Sequence, residues 1–260
     1  MSTREEILAE LVALSRWLGA PERDLVILGE GNTSAAIDEQ TFFVKASGTE
    51  LGTIGPEGFV EVHTGAVLKL LEKGELSDEE VMRGLGEAVV GETALRPSVE
   101  TFLHAAMLAR GARFVGHTHP SDVNAILCSN MWREVLEGRL FPDEVICCGP
   151  APCLVPYTDP GVRLAHAVIA AVEEYQATQG TLPKTVYIQN HGLIAVGESA
   201  REVRMITAMA VKAARIAWRA AALGGVHFLD EANIARLYTR PDEKYRERVL
   251  RGEQPRQGQD

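Results

Sequence analysis

The chain has 260 residues, of which 46% are apolar and 24% charged, a composition that is ordinary for a globular protein. Its formal net charge of -10 at pH 7 argues against a nucleic-acid partner, because affinity for a phosphate backbone depends on clusters of Lys and Arg. No run approaches ~18 consecutive apolar residues, and the N-terminal stretch is acidic and amphipathic. We therefore expect neither a membrane span nor a signal peptide. We expect the protein to be cytoplasmic.

In the first half of the chain, hydrophobic periodicity and turn residues predict a helix, then strands, then two more helices. Thr3 and Glu6 have the spacing of a capping box at the start of the first helix, and Gly19 can end it. The predicted elements are, in order, a helix over 3–19, two strands around a glycine turn within 24–38, a strand entering a polar turn within 41–51, a helix over 77–91, and a helix from Pro97 or Ser98 to Gly111.

In the second half, predicted strands and helices alternate. They are a strand over 113–120, a helix capped by Ser121 or Asp122, a strand with a proline-rich connection within 144–161, a helix over 161–178, strands over 185–190 and 193–197, and a helix over 199–223. No repeat or low-complexity linker divides the chain, so we expect one domain of mixed α and β layers over residues 1–240. Residues 241–260 are charged and poor in apolar side chains, and we expect a flexible tail there.

The stretch FVGHTHP places His117 and His119 two residues apart at the end of a predicted strand. Because strand side chains alternate between faces, both imidazoles point the same way, about 7 Å apart along the strand. Such a pair can converge on one cation, or it can be no more than two polar residues at a strand end. His191 lies in QNHGLIAV, where an apolar strand breaks beside a glycine, and Glu100 lies where a helix dipole favours a carboxylate. Three histidines with one carboxylate are a suitable set of zinc ligands.

Two glycine turns contain short polar side chains. One is GEGNTS at residues 29–34, and the other is the turn at Ser47 and Gly48. Their backbone N–H groups could line a concavity that holds an anion, or the turns could simply reverse the chain. Neither matches the P-loop or the dinucleotide-binding fingerprint.

Five segments in this order, GEGNTS, VKASGTEL, PSVETFLHAAML, GHTHP and QNHGLIAVG, resemble the class II aldolase/adducin family, from about residue 5 to residue 225. The resemblance implies a three-layer α/β/α sandwich around a central mixed, largely antiparallel sheet. It also implies a ring-like homotetramer with active sites between subunits and a small sugar or sugar phosphate as substrate. In the family a tyrosine of the neighbouring subunit assists protonation, and the candidates for that role are Tyr157, Tyr238 and Tyr245.

The resemblance also assigns roles to individual residues. It implies a zinc ion, with manganese or cobalt as alternatives, held by His117, His119 and His191. Glu100 corresponds to a glutamate that can ligate the resting metal and acts as the acid/base near the reacting carbon. The implied phosphate-pocket residues are Gly31, Asn32, Ser47, Gly48 and Ser98.

Val99 departs from the family pattern, which has a second serine here, so the implied phosphate pocket loses one hydroxyl donor. Whether the substrate is phosphorylated is therefore open. The implied reaction is retro-aldol cleavage of a ketose, in which the metal stabilises an enediolate and a carboxylate of raised pKa moves a proton. Decarboxylation of a 3-keto acid passes through the same enolate and stays open. Another enzyme of the family such as an epimerase, a zinc hydrolase and a non-catalytic adducin-like binding module are further alternatives. Glu100 together with three histidines favours lyase chemistry.

Overall fold

The computed structural model of the chain describes residues 2–242 and Tyr245. Its strands are β1 (Asn32–Ala36), β2 (Thr41–Lys45), β3 (Phe59–His63), β4 (Phe114–Thr118), β5 (Cys153–Val155), β6 (Thr185–Ile188) and β7 (Gly192–Gly197). Its α-helices are α1 (Arg4–Leu18), α2 (Thr64–Leu71), α3 (Asp78–Glu87), α4 (Thr101–Leu108), α5 (Ser121–Leu127), α6 (Trp132–Leu136), α7 (Pro142–Cys148), α8 (Val162–Gln179), α9 (Ala200–Ala222) and α10 (Glu231–Thr239). The tail predicted over 241–260 lies outside the described residues except at Pro241, Asp242 and Tyr245.

The strands form one seven-stranded mixed sheet in the order β3-β2-β1-β4-β7-β6-β5. Neighbouring strands run antiparallel, except that β5 and β6 are parallel. Every residue of β1, β4 and β7 is buried, as expected for strands that are covered on both faces. The register places Asn32 of β1 and Ile194 of β7 on either side of His117, so this histidine lies in the middle of the sheet.

Helices cover both faces of the sheet, and each face has its own apolar core. On one face α2, α3, α4 and α8 pack over a core that includes Phe102 and Val115. On the other face α1, α5, α6, α7 and α9 pack over a core that includes Leu11 and Phe114. The predicted three-layer α/β/α sandwich around a largely antiparallel sheet is therefore confirmed. Among the described helices, none is both long and apolar enough to traverse a bilayer.

Alternation along β4 decides which layer each of its side chains enters. Val115 and His117 face α4, whereas Gly116 between them faces α1 and α9. A Cβ atom on Gly116 would lie 2.8 Å from Val203 Cγ1 and 3.1 Å from Leu18 Cδ1. The absence of a side chain at this position lets two helices close on the sheet directly behind the histidine.

The helix-end signals in the sequence are partly confirmed. Thr3 and Glu6 form the predicted capping box at the start of α1, and Gly111 follows α4 with a φ of 102°. The predicted cap of α5 is wrong, because its N-cap is Pro120 and no side chain caps it. Asp122, one of the two predicted caps, instead accepts a hydrogen bond from Arg215 at 2.7 Å.

Two strand predictions are wrong. In addition, the sequence patterns do not predict four elements that the structure contains, namely β3, α2, α6 and α10. Residues 24–28 are irregular rather than a strand and end in a turn at Leu28, which adopts a φ of 51° and has an exposed apolar side chain. Within 144–161 only β5 is a strand, because the preceding residues form α7. Pro142 and two acidic residues in the first turn of α7 are helix-start signals that outweigh the β-prone run behind them.

Candidate metal centre

Three histidine side chains converge at the ends of adjacent strands. His117 lies in β4, His119 follows it, and His191 lies in the tight turn between β6 and β7. His117 Nε2 lies 3.0 Å from His119 Nε2 and 3.2 Å from His191 Nε2, and the ligand atoms of the three residues all lie within 4.8 Å of one another. A tetrahedral ion with metal–nitrogen bonds of ~2.0–2.1 Å separates its ligand atoms by about 3.3 Å. The three nitrogens are therefore spaced to hold one such ion.

Contacts behind two of the rings direct them at this centre. His117 Nδ1 lies 3.1 Å from the carbonyl oxygen of Leu193. A carbonyl only accepts hydrogen bonds, so Nδ1 carries a proton, and in the neutral ring Nε2 presents a lone pair, as is usual for metal-ligating histidines. His119 Nδ1 lies 3.8 Å from Glu30 Oε1, which places a carboxylate behind the second ring. The side chain of His117 is 1% exposed and that of His119 is 21% exposed, so the cluster opens to solvent on the His119 side.

Two glycines let the backbone approach the rings closely. A Cβ atom on Gly192 would lie 2.5 Å from the Thr118 carbonyl oxygen and 2.7 Å from His119 Cδ2. Gly31 has a φ of 66°, and a Cβ atom there would lie 2.7 Å from the His117 carbonyl oxygen. The glycine of the N-H-G stretch and the second glycine of GEGNTS are thus required by the packing around the histidines.

Glu100 contributes a carboxylate to the same cluster. It occupies the N-cap position of α4, but its side chain makes no capping hydrogen bond. Its Oε1 lies 2.9 Å from His191 Nε2, and its Oε2 lies 3.6 Å from His117 Nε2. The helix therefore begins at Thr101, a few residues after the predicted start at Pro97 or Ser98, and the carboxylate faces the histidines. From this place it can serve as a fourth metal ligand or as a base.

The pKa values of Glu100, His117 and His119 are shifted in different directions by burial and by neighbouring charges. Burial alone would raise the pKa of Glu100, but His117 and His191 outweigh it and hold that pKa well below its usual range. Burial also opposes the charged form of His117, yet Glu100 prevails and raises the pKa of His117. Burial, with His117 next, lowers the pKa of His119 to about 3. Glu100 is therefore an ionised carboxylate, and the expectation of a raised pKa is wrong because two imidazoles contact it directly.

A hydrogen-bonded group of polar side chains lies behind Glu100. Asn32 Nδ2 donates to Glu100 Oε2 at 2.5 Å, and Asn32 Oδ1 contacts His104 Nε2. Ser34 Oγ lies 2.7 Å from His104 Nδ1. Burial lowers the pKa of His104 to about 3, so this imidazole is neutral. The structure thus brings Asn32, which the sequence assigns to an anion pocket, into contact with the carboxylate.

The remaining predicted anion-pocket residues lie on two neighbouring segments. A bridge between Ala46 and Pro97 joins the segments, and the Ser47 N–H donates to the Arg96 carbonyl oxygen at 2.8 Å. Gly48 has a φ of 81°, which explains the glycine. Ser98 Oγ accepts a hydrogen bond from the Glu100 N–H at 3.3 Å. The segments that carry Ser47 and Ser98 are therefore adjacent, although the role of these serines in binding a substrate stays a prediction.

Sequence reasoning assigned Ser34 to an anion-binding turn and missed two buried polar residues near the centre, Lys45 and His104. Lys45 is 2% exposed, and its Nζ donates to the Gly29 carbonyl oxygen at 3.2 Å. Burial lowers the pKa of Lys45, while Glu100 acts in the opposite direction. The available signal was a single polar residue in an otherwise apolar element, as in TFFVK and TFLHAAML, because such residues are rarely buried without a partner.

The tyrosine candidates lie on two different parts of the chain. Tyr157 is exposed in the segment after β5, and its N–H donates to Gln189 Oε1 at 3.1 Å. Tyr238 lies in α10, and Tyr245 is exposed beyond that helix. Assistance to a neighbouring subunit by one of them stays a prediction.

The structure is an α/β/α sandwich in which three convergent imidazole nitrogens and one carboxylate, at the ends of the central strands, could hold a metal ion. The chain belongs to the family of the Class II Aldolase and Adducin N-terminal domain, whose sequence profile matches residues 9–218. The resemblance inferred from the five segments is therefore confirmed.

Known proteins agree with this placement. The N-terminal class II aldolase domain of a conserved protein from Thermoplasma acidophilum is 25% identical, with a TM-score of 0.66 over 83% of this chain and 95% of that one. An L-fuculose 1-phosphate aldolase is 19% identical, with a TM-score of 0.69 over 95% of this chain and 98% of that one. The uncharacterized oxidoreductase YuxG of Bacillus subtilis is 27% identical over 198 residues. That match covers 73% of this chain but only 26% of the Bacillus protein.

Proposed function

We propose that the protein is a metal-dependent aldehyde-lyase that cleaves a ketose or related sugar by retro-aldol chemistry. The observation that carries the proposal is the convergence of His117, His119, His191 and Glu100 on one point. Imidazole and carboxylate donors suit zinc, and also manganese or cobalt. When bound there, a divalent ion would supply Lewis-acid stabilisation of the negative charge that carbon–carbon cleavage leaves on the donor fragment.

The protein's own residues would hold the reactants and move the proton. His117 is fixed by its Nδ1 contact to Leu193, so its Nε2 stays directed at the centre. Glu100 is ionised and only 13% exposed, and it can therefore accept a proton from the reacting carbon or hydroxyl group in a largely dry site. Asn32 donates to one carboxylate oxygen and so orients the other. Family membership supports a small sugar or sugar phosphate as substrate, and a homotetramer in the cytoplasm remains our expectation.

Val99 supports a second reaction as an alternative. Its side chain is 43% exposed beside Ser98, at the position where the family pattern has a hydroxyl donor. A substrate without a phosphate would not need that donor. Decarboxylation of a 3-keto sugar acid is the alternative, because it leaves the same enolate charge on the substrate. The two reactions differ in their products, so release of carbon dioxide from a 3-keto acid at a higher rate than any aldol cleavage would favour the decarboxylase.

The test is replacement of the carboxylate at Glu100 by an amide. Glu100→Gln keeps the size and one oxygen donor but cannot exchange a proton, so kcat should fall by roughly 10²–10⁴ while bound metal is retained. The readouts are metal content and exchange of the α-protons of dihydroxyacetone phosphate and of dihydroxyacetone with deuterated solvent. Glu30→Gln is a matched control, because it removes a carboxylate from behind His119 without touching the centre, and its loss should be much smaller.

Three results would count against the assignment. Near-normal turnover in Glu100→Gln would place the base elsewhere, and loss of the metal would make Glu100 mainly a ligand. Turnover of ester or amide substrates in place of hydroxy-ketones would favour a hydrolase, since such an enzyme uses the metal to activate water.

A further inference from the structure

A chain of hydrogen bonds connects Glu100 with two side chains that do not reach the centre. It runs from Ser34 Oγ to His104 Nδ1 at 2.7 Å, from His104 Nε2 to Asn32 Oδ1, and from Asn32 Nδ2 to Glu100 Oε2 at 2.5 Å. Ser34 and His104 are 0% and 1% exposed, and Asn32 is 3% exposed. Water therefore has little access to replace any partner in this chain.

The orientation of the Asn32 amide determines the position of every proton in the chain. Its nitrogen donates to Glu100 Oε2, and its oxygen faces His104 Nε2. His104 must then carry its proton on Nε2, which leaves a lone pair on Nδ1. The Ser34 hydroxyl must donate to that lone pair. All four groups are satisfied in this one arrangement.

We propose that Ser34 and His104 are positioning residues for Glu100 and act on it through the Asn32 amide. The proposal rests on the function proposed above, in which Glu100 carries the proton. The chain ties Oε2 to Asn32 and leaves Oε1, 2.9 Å from His191 Nε2, as the oxygen that faces the centre. If the Ser34 hydroxyl is removed, His104 can adopt its other tautomer. Asn32 can then turn its oxygen toward the carboxylate, which repels it.

The opposite face of β1 supplies a matched control. Strand alternation directs Asn32 and Ser34 toward α4, and it directs Thr33 toward α1, where Thr33 Oγ1 lies 2.6 Å from Ser15 Oγ. Thr33 is 0% exposed, as Ser34 is. Thr33→Val therefore removes a buried hydroxyl hydrogen bond from the neighbouring residue of the same strand without touching the chain that leads to Glu100.

The experiment compares zinc-loaded full-length wild type with Ser34→Ala, Thr33→Val, His104→Gln and His104→Leu. Solvent exchange of the α-protons of dihydroxyacetone phosphate gives a maximal rate and a half-saturating concentration. Ser34→Ala should lose roughly 10- to 100-fold in maximal rate, the usual effect of removing an outer partner, with metal content and half-saturating concentration unchanged. Thr33→Val should keep the wild-type rate. His104→Gln can still donate to Asn32 Oδ1 and should be faster than His104→Leu.

The His104 tautomer gives a readout that is independent of activity. Nitrogen-15 NMR of the imidazole should show the proton on Nε2 in wild type and a mixture of tautomers in Ser34→Ala. A wild-type ring protonated on Nδ1 would overturn the proposal whether or not the enzyme turns over any probe. Equal exchange rates in Ser34→Ala and Thr33→Val, with Glu100→Gln still inactive, would also overturn it and leave the proposed function intact. Exchange that is absent in wild type on both dihydroxyacetone probes counts against the proposed function, and the tautomer measurement then decides this proposal alone.

Discussion

Two of the clusters of buried charged groups in the described part of the chain differ in how their hydrogen-bonding capacity is used. In the first cluster, Arg139 is 1% exposed and all its nitrogens have acceptors. Its Nε donates to the Gly149 carbonyl oxygen at 2.8 Å, and its Nη2 donates to the carbonyl oxygens of Cys148 at 2.8 Å and Ala151 at 2.6 Å. Its Nη1 contacts Glu144 Oε1 at 3.2 Å. Such a cluster is closed, and its role is to hold the chain around the end of α7.

The metal centre has the opposite balance, with an excess of acceptors. The Nε2 atoms of His117, His119 and His191 and the carboxylate of Glu100 face one another at about hydrogen-bond distance. Only protons or a cation can satisfy that arrangement, because each buried acceptor without a donor costs about 1–3 kcal/mol. The comparison shows that burial and charge alone do not distinguish a structural cluster from a binding site. The two are distinguished by whether hydrogen-bond acceptors are left without donors, as they are around the three histidines and Glu100.

The largest expected effect, and the strongest test of this comparison, is the loss of a bound metal ion when one of the three histidines is replaced. We expect one divalent metal ion per chain in the purified protein, and His119→Ala should lose most of it, because two imidazoles and one carboxylate hold an ion far less tightly than three imidazoles do. Plasma emission spectrometry measures the metal content. His166→Ala is the control, since this histidine contacts the Leu71 carbonyl oxygen at 3.0 Å and lies outside the cluster. Full occupancy in a triple alanine variant of the cluster would show that the ion binds elsewhere.

The next effect tests the closed cluster. Arg139→Met preserves much of the side-chain volume but leaves Glu144 buried without its charged partner, which should lower the free energy of unfolding by about 3–5 kcal/mol. Urea denaturation measures the change, and the variant should keep its metal. Adding Glu144→Gln should recover part of the loss, because the uncompensated charge is then gone. A loss of metal in Arg139→Met as large as that in His119→Ala would contradict the separation of the two clusters.

The sequence predicts the convergence of the candidate ligands better than it predicts the elements that hold them. The two-residue periodicity of a strand correctly places His117 and His119 on one face, and the order of the five family segments adds Glu100 and His191 to the same group. These signals are local or are carried by the family pattern. The direction of the Glu100 pKa, by contrast, depends on distances to two imidazoles that arise only when separate strands pair.

The errors have a common physical origin in tertiary context. Residues 24–28 have the composition of a strand but pair with no strand of the sheet, and so are irregular. The contact of Asn32 with Glu100 and His104 requires the register that pairs β1 with β4, and pairing between strands this far apart in sequence has no local signature. The sequence therefore indicates which residues carry the chemistry but not which side chains position them.

The smallest expected effect concerns the neutral hydrogen-bond donors in the turn at Ser47. It sharpens the comparison, because it tests whether these donors bind a phosphate. Ser47 is exposed in a turn whose neighbouring segment carries Ser98, and Gly48 follows with its φ of 81°. If this turn binds a phosphate, Ser47→Ala should reduce kcat/KM for a phosphorylated ketose by roughly 10- to 100-fold, because a hydrogen bond to a charged group contributes about 1.5–3 kcal/mol. The same variant should leave kcat/KM for an unphosphorylated ketose nearly unchanged. Thr49→Val in the same turn is the control, because its hydroxyl donates to the Ala46 carbonyl oxygen at 2.8 Å and should not discriminate between the substrates. Equal losses on both substrates in Ser47→Ala would mean that no phosphate is bound there. Together with the exposed Val99, that result would move the assignment toward an unphosphorylated sugar or a 3-keto acid.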